Sequence, residues 1–242
     1  MAMNLGSFAG RVIATRVVAT DGSGDFTDIQ DAIDDLPASG GAIWIKEGTY
    51  TLTNLLTISS NTTLIGGGNA TIIKTAVALQ VGISLASKSN ILIKDLQLYL
   101  LAAANTTGVI NIDDLNNVTF YNVLFKIGNG NMETIFDPVS FNPATKLKIL
   151  YCVLNESVDS LSEGVFNFAY RKTQIIGNRF DTAALFSTTG DIDMQNCIIT
   201  NNFFASLFTD ATTLNNVIIG NQTDVAIVDN GAGNEIAHNG LF

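Results

Sequence analysis

Ile175-Ile176-Gly177-Asn178, Ile198-Ile199-Thr200-Asn201, Ile218-Ile219-Gly220-Asn221 and Ile236-Ala237-His238-Asn239 repeat one pattern: two apolar residues, a spacer and an asparagine. Looser copies precede them as Leu64-Ile65-Gly66-Gly67, Leu92-Ile93-Lys94-Asp95, Thr119-Phe120-Tyr121-Asn122 and Ile149-Leu150-Tyr151-Cys152. With the fourth residue as anchor, the steps between copies are 28, 27, 30, 26, 23, 20 and 18 residues. A period of this size in segments rich in Ile, Val, Asn, Thr and Gly marks a solenoid. Between anchors the apolar residues fall in short, often alternating runs bounded by Asn, Gly and Asp, which favours strands and tight turns over helices.

A single coil cannot bury its own apolar side, so coils stack and share a core. Residues two before each anchor (Ile65, Ile93, Phe120, Leu150, Ile176, Ile199, Ile219 and Ala237) are expected to form one interior row. Strand alternation points the anchor the same way, so Asn178, Asn201, Asn221 and Asn239 are expected to bond amide to amide along the axis. The fold class expected is all-β, a parallel β-helix of about eight coils. At about 4.8 Å per rung it makes a rod about 34 Å long, narrowing as the step shrinks.

Ahead of the repeat, Thr27-Asp28-Ile29-Gln30 reads as a capping box. Ile29, Ala32, Ile33 and Leu36 follow at helical spacing, and Pro37 and Gly40-Gly41 end the helix. An α-helix here is expected to cover the open end of the first coil. The division expected is 1–41 as lead-in and capping helix and 42–242 as solenoid. Asp28, Asp31, Asp34 and Asp35 read as its solvated face.

Charged residues are 14% of the chain, mean hydropathy is +0.30, and the net charge is −10. The acidic balance and twelve scattered Lys and Arg exclude a nucleic-acid partner and an anionic membrane surface. The uncharged stretch from Gly48 to Ile73 is too rich in Thr, Asn and Gly to span a bilayer. Residues 1–19 do not read as a secretory signal. Cys152 and Cys197 fall about two rungs apart, roughly 10 Å, which is too far for a disulfide. Asp21-Gly22-Ser23-Gly24-Asp25 has turn chemistry and lacks the spacing of a calcium loop. Gly66-Gly67-Gly68 has no following Lys-Ser/Thr and reads as a corner, so no metal or cofactor is expected.

Asp21-Gly22-Ser23-Gly24-Asp25-Phe26-Thr27, then Ile29-Gln30-x-Ala32-Ile33, Gly40-Gly41 and Gly48-Thr49-Tyr50 resemble the opening of pectin-lyase-like right-handed parallel β-helix proteins. Pectin methylesterases, polysaccharide lyases and phage tailspikes share that opening. The resemblance implies a polysaccharide partner and an extracellular or virion-associated location, but not one chemistry, because many activities use this scaffold. There is no Asn-Thr-Asp, Gly-His-Gly or Arg-Ile-Lys run as in polygalacturonases. The methylesterase set and the arginine with calcium-binding acids of pectate lyases cannot be placed either. His238, the one histidine, reads as part of the last coil.

Two further expectations concern the outer wall. Ile91, Leu92, Ile93, Leu96, Leu98, Leu100 and Leu101 would place apolar groups on both faces of one coil. Such a strand is normally covered on both sides, which suggests either a homo-oligomer, a trimer in the manner of tailspikes, or a cover made by a tucked-in loop or the lead-in 1–15. Counting back ten or eleven residues from the anchors places Asn111, Asn142, Asn167, Asp191 and Asp210 on one strip. Asp113 and Asp193 lie beside it, and Tyr170 and Arg171 flank it. Such a ladder of amides, carboxylates and an aromatic suits a repeating polymer. Asp191, Asp210 and Asp113 are the candidate catalytic acids, since paired carboxylates hydrolyse glycosides. The expected function is a tailspike-like module that recognises a surface polysaccharide; a hydrolase or lyase and a plain spacer are the alternatives.

Overall fold

The structure is a computed structural model that describes residues 15–75, 81–101, 109–128, 134–137, 143–156, 164–166, 170–184, 194–206, 213–223, 226–227 and 231–241. Parallel pairing dominates throughout, and the chain is an all-β solenoid with almost no helix. The middle strand of successive coils stacks in a fixed register: Ile43 on Leu64, then Ile93, Phe120, Ile149, Ile175, Ile199, Ile218 and Ile236. A second interior row runs Tyr50, Ile73, Leu98, Phe125, Leu154, Phe180 and Phe204. A separate sheet supplies the third, Leu56, Ile83, Ile110, Phe136 and Phe166. All but the terminal Ile236 are buried, and the dry bore is common to every rung.

This register moves the expected interior row. Ile93, Phe120 and Ile199 face inward as expected, but Leu150, Ile176, Ile219 and Ala237 face outward, and Leu64 replaces Ile65. The reason is a corner residue in the left-handed region. Asp95, Asn122, Tyr151, Gly177, Asn201, Gly220 and His238 all have φ between +52° and +69°. Each turns the chain between two strands, so alternation breaks there and inward positions lie three apart, as in Ile175 and Asn178. The repeating unit is therefore inward, outward, left-handed corner, inward: Ile149-Leu150-Tyr151-Cys152, Ile199-Thr200-Asn201-Asn202.

The amide ladder accordingly runs Asn178, Asn202, Asn221 and Asn239, and the expected Asn201 is instead an exposed corner. The Oδ1 of Asn202 accepts from both the backbone N–H and the Nδ2 of Asn178, each at 2.9 Å. Its Nδ2 donates to Ile175 O at 2.7 Å and to Asn221 Oδ1 at 3.0 Å. Every polar atom of a buried amide thus has a partner, as burial demands. A second ladder follows the other left-handed corner, where Asn216 bonds to Asn234.

Each ladder begins at a cysteine. The Cys152 N–H donates to Asn178 Oδ1 and the Cys197 N–H to Asn216 Oδ1, both at 2.8 Å. The two thiols are free and buried, in agreement with the spacing argument. Burial pushes the Cys152 thiol up to about 12 and that of Cys197 to about 11.

The described part of the coil 90–104, residues 90–101, does not present two apolar walls. Past the corner at Asp95 the phase shifts, so Ile91, Ile93, Leu96, Leu98 and Leu100 all face the bore and only Leu92 turns outward among them. The observation behind the expected oligomer contact is thereby removed.

At the N-terminal end Arg16–Val18 pairs in parallel with Gly41–Ile45, so the sheet already begins ahead of residue 42. Helix α1, Ile29–Asp34, buries Ile29, Ala32 and Ile33. Its N-cap is Asp28 rather than Thr27: the Asp28 carboxylate accepts from the N–H groups of Gln30 and Asp31. The Gln30 side chain, expected to close a capping box, instead donates to Thr57 O and accepts from Thr57 N–H, joining α1 to the next coil.

Candidate functional site

The third sheet carries the candidate strip. Its inward residues Ile83, Ile110 and Phe136 alternate with Ser84, Asn111 and Asp137, which pair in register with Thr57 before them. The outer row is thus Thr57, Ser84, Asn111, Asp137. Its polar side chains stand one rung, about 4.8 Å, apart.

Counting back from anchors recovers Asn111 but misses its neighbour. Asp137 is the rung partner of Asn111, whereas Asn142 lies outside the described residues, as do Asn167, Asp191, Asp193 and Asp210. The local signal for Asp137 was present in the sequence: Gly82-Ile83-Ser84, Val109-Ile110-Asn111 and Ile135-Phe136-Asp137 recur at 27 and 26 residues.

Asp113 joins this group. Its N–H donates to Asn111 Oδ1 at 3.0 Å, an Asx turn that fixes the amide at the end of the strand, and its carbonyl accepts from Ser87 N–H. Asp113 is 6% exposed and Asp137 3%. Ile135, on the same outward phase as Asp137, is fully buried, so this rung is covered on its outer face as well. The two acids therefore sit in a shielded stretch of wall rather than on open surface.

Tyr170 is not available to a ligand. It is 1% exposed, packs edge-on against Phe166 at 5.5 Å between centroids, and its hydroxyl donates to Phe136 O. The expectation that it flanks the strip is corrected: the phase of its strand turns it into the aromatic core of Phe120, Phe125, Phe136 and Phe166. Arg171, next in sequence, is half-buried and pairs in register with Thr145 and Gln195.

All-parallel pairing with corner ladders defines the class as a parallel β-helix solenoid, and solved structures share that fold. Pectin methylesterase PemA from Erwinia chrysanthemi superposes with a TM-score of 0.56 at 16% identity, over 90% of this chain and 82% of that one. Pectin methylesterase from carrot gives 0.53 at 13%, over 93% and 85%. The catalytic domain of a GH87 α-1,3-glucanase, solved with tetrasaccharides, gives 0.55 at 12%, over 92% of this chain and 47% of that one. At these identities the likeness is one of fold. No family model matches the sequence. No curated protein matches it either. No helix among the described residues is long and apolar enough to cross a membrane.

Proposed function

We propose that this chain is a β-helix module that recognises an extended polysaccharide along the outer face of the third sheet, in an extracellular or virion-borne setting of the tailspike kind. The carrying observation is the part-exposed register Thr57, Ser84, Asn111, with Asp113 tied to Asn111. A polymer that repeats along its length is matched by a polar row that repeats along the axis. Similar folds solved with hexasaccharides and tetrasaccharides support the substrate class. In this reading α1 covers the N-terminal end of the bore and residues 42–242 form the binding rod.

The test is binding of the intact chain to immobilised neutral and acidic polysaccharides, with melting temperature as a folding control. Asn111→Ala is expected to weaken binding about tenfold, the cost of one good polar contact. A folded variant that binds as the parent does would overturn the assignment.

A further inference from the structure

The outer face of the middle sheet carries a different set of groups. Beside the inward row lies an outward row in register: Trp44, Ile65, Lys94, Tyr121, Leu150 and Ile176. Trp44 is 37% exposed and Tyr121 40%. Tyr151, 56% exposed at its left-handed corner, meets Tyr121 edge-on at 5.7 Å between centroids. Its ring overlies the next corner, where a Cβ on Gly177 would come within 2.8 Å of it. The pair is therefore held in place by the backbone beneath it.

Trp44 forms one wall of a cleft of about 460 Å³ lined also by Asp21, Ser23, Lys46, Glu47 and Gly67, a volume within the range of small-molecule sites. The polar lining is set before any ligand arrives. Asp21 accepts from the N–H and Oγ of Ser23, and Lys46 Nζ donates to the carbonyl and hydroxyl of Ser23. The Glu47 side chain makes no hydrogen bond or ion pair among the described residues and is left as an acceptor at the rim. An aromatic face beside fixed hydroxyl, carboxylate and ammonium groups suits a ring that is apolar on its faces and hydroxylated around its edge.

The two platforms are linked. Trp44 and Tyr121 stand three rungs apart, about 14 Å, and between them Ile65 is buried, so the exposed link is the Lys94–Asp95 ion pair at 2.9 Å. The cleft holds two acids to one base, and that base is already engaged, on a chain of net charge −10. A polyanion is repelled there; a neutral or amino-substituted chain is not.

We propose that the outer face of the middle sheet, from the Trp44 cleft to the Tyr121–Tyr151 pair, is a second saccharide site that takes a linear, non-acidic glycan lying along the solenoid axis. The proposal rests on the polysaccharide reading above and assigns it a distinct surface and a substrate class.

Trp44 is the one tryptophan of the chain, so its fluorescence reports on this site alone. Glucan, mannan, galactan, chitosan and polygalacturonate oligosaccharides of increasing length are titrated against the intact protein, with calorimetry in parallel. A saturable change in Trp44 emission is expected with at least one non-acidic series, tightening until the oligosaccharide spans both platforms. Tyr121→Ala and Tyr151→Ala should each weaken it about tenfold, and Tyr151→Phe should keep it. Heat of binding with silent Trp44 emission would sink this site and leave the third-sheet reading standing. A response to polygalacturonate alone, or one indifferent to both tyrosine truncations, would also sink it. No binding by either measurement removes both readings.

Discussion

At the residue scale, two adjacent asparagines have opposite duties. Asn202 is buried with four hydrogen bonds from its side chain, whereas Asn201 is an exposed corner at φ +56°. Asn202→Ala removes the partner of the Asn178 backbone N–H, one of the two bonds of Asn178 Nδ2 (the other, to Ile149 O, remains) and a donor to Ile175 O, at about 1–3 kcal/mol for each buried group. Urea unfolding should show a loss on the order of 4 kcal/mol. Asn201→Gly keeps the backbone conformation and should change stability by less than about 1 kcal/mol. The reverse ranking would return the ladder to Asn201. The cysteines predict a pH effect. The folded chain keeps thiol protons up to about 11 and 12 that the unfolded chain releases near 9. The stability they contribute is therefore complete below pH 9 and falls as pH rises toward 11–12, by an order of a few kcal/mol in total. Unfolding measured across that window should show the fall, and Cys152→Ala with Cys197→Ala should flatten it.

At the element scale, α1 tests how sequence signals rank. Two adjacent candidates compete for its cap, and the carboxylate that bonds two N–H groups is Asp28. Asp28→Ala should cost about 1 kcal/mol in thermal unfolding and Thr27→Ala much less. The corner beneath Tyr151 offers a second test. Gly177 has φ +68° and the tyrosine ring over it. Gly177→Ala should destabilise by about 2 kcal/mol, combining left-handed strain with the steric clash. Part of that loss should be recovered in the Tyr151→Ala background, since only the steric share depends on the ring. The repeat itself was legible because each coil writes the same two apolar letters. Its phase was not, because a left-handed corner adds one residue that alternation does not count, and Asn serves equally at the corner and in the ladder. That one shift misplaced Asn201, Leu150 and Ile176, and it created the illusion of a doubly apolar coil at 90–104. Tyr170 was misread for a related reason, since nothing local tells an outward tyrosine from one facing a phenylalanine stack. Asp137 was missed because its strand was counted from a distant anchor across a connection whose length varies from coil to coil.

For the whole molecule, stability is a chain of nearest-neighbour contacts, with no single centre. The middle of the bore is aromatic: Phe136 stacks on Phe166 at 5.0 Å and meets Phe120 and Phe125 edge-on. Phe136→Ala is expected to cost about 3–5 kcal/mol. Toward the C-terminal end the ladder positions change from Leu96, Val123 and Cys152 to asparagine, and the rung at 235–241 is partly exposed. Amide exchange should follow the same gradient, slow at Phe120 and Phe125 and fast at Ile236 and Asn239. Uniform protection from end to end would contradict a one-dimensional assembly.

The left-handed corners leave room for engineering. Lys146, Tyr151, Lys172 and His238 hold a backbone shape that Gly and Asn adopt more readily, at φ between +53° and +56°. Replacing Lys146, Lys172 and His238 with asparagine, as other rungs already do at 90, 117 and 122, should raise the melting temperature by small increments; 146 and 172 lie on adjacent rungs, so those two should couple, whereas His238 should add independently. A rod of this kind could thus be made more heat-resistant through its bends alone, leaving both its filling and its flat outer walls as they are.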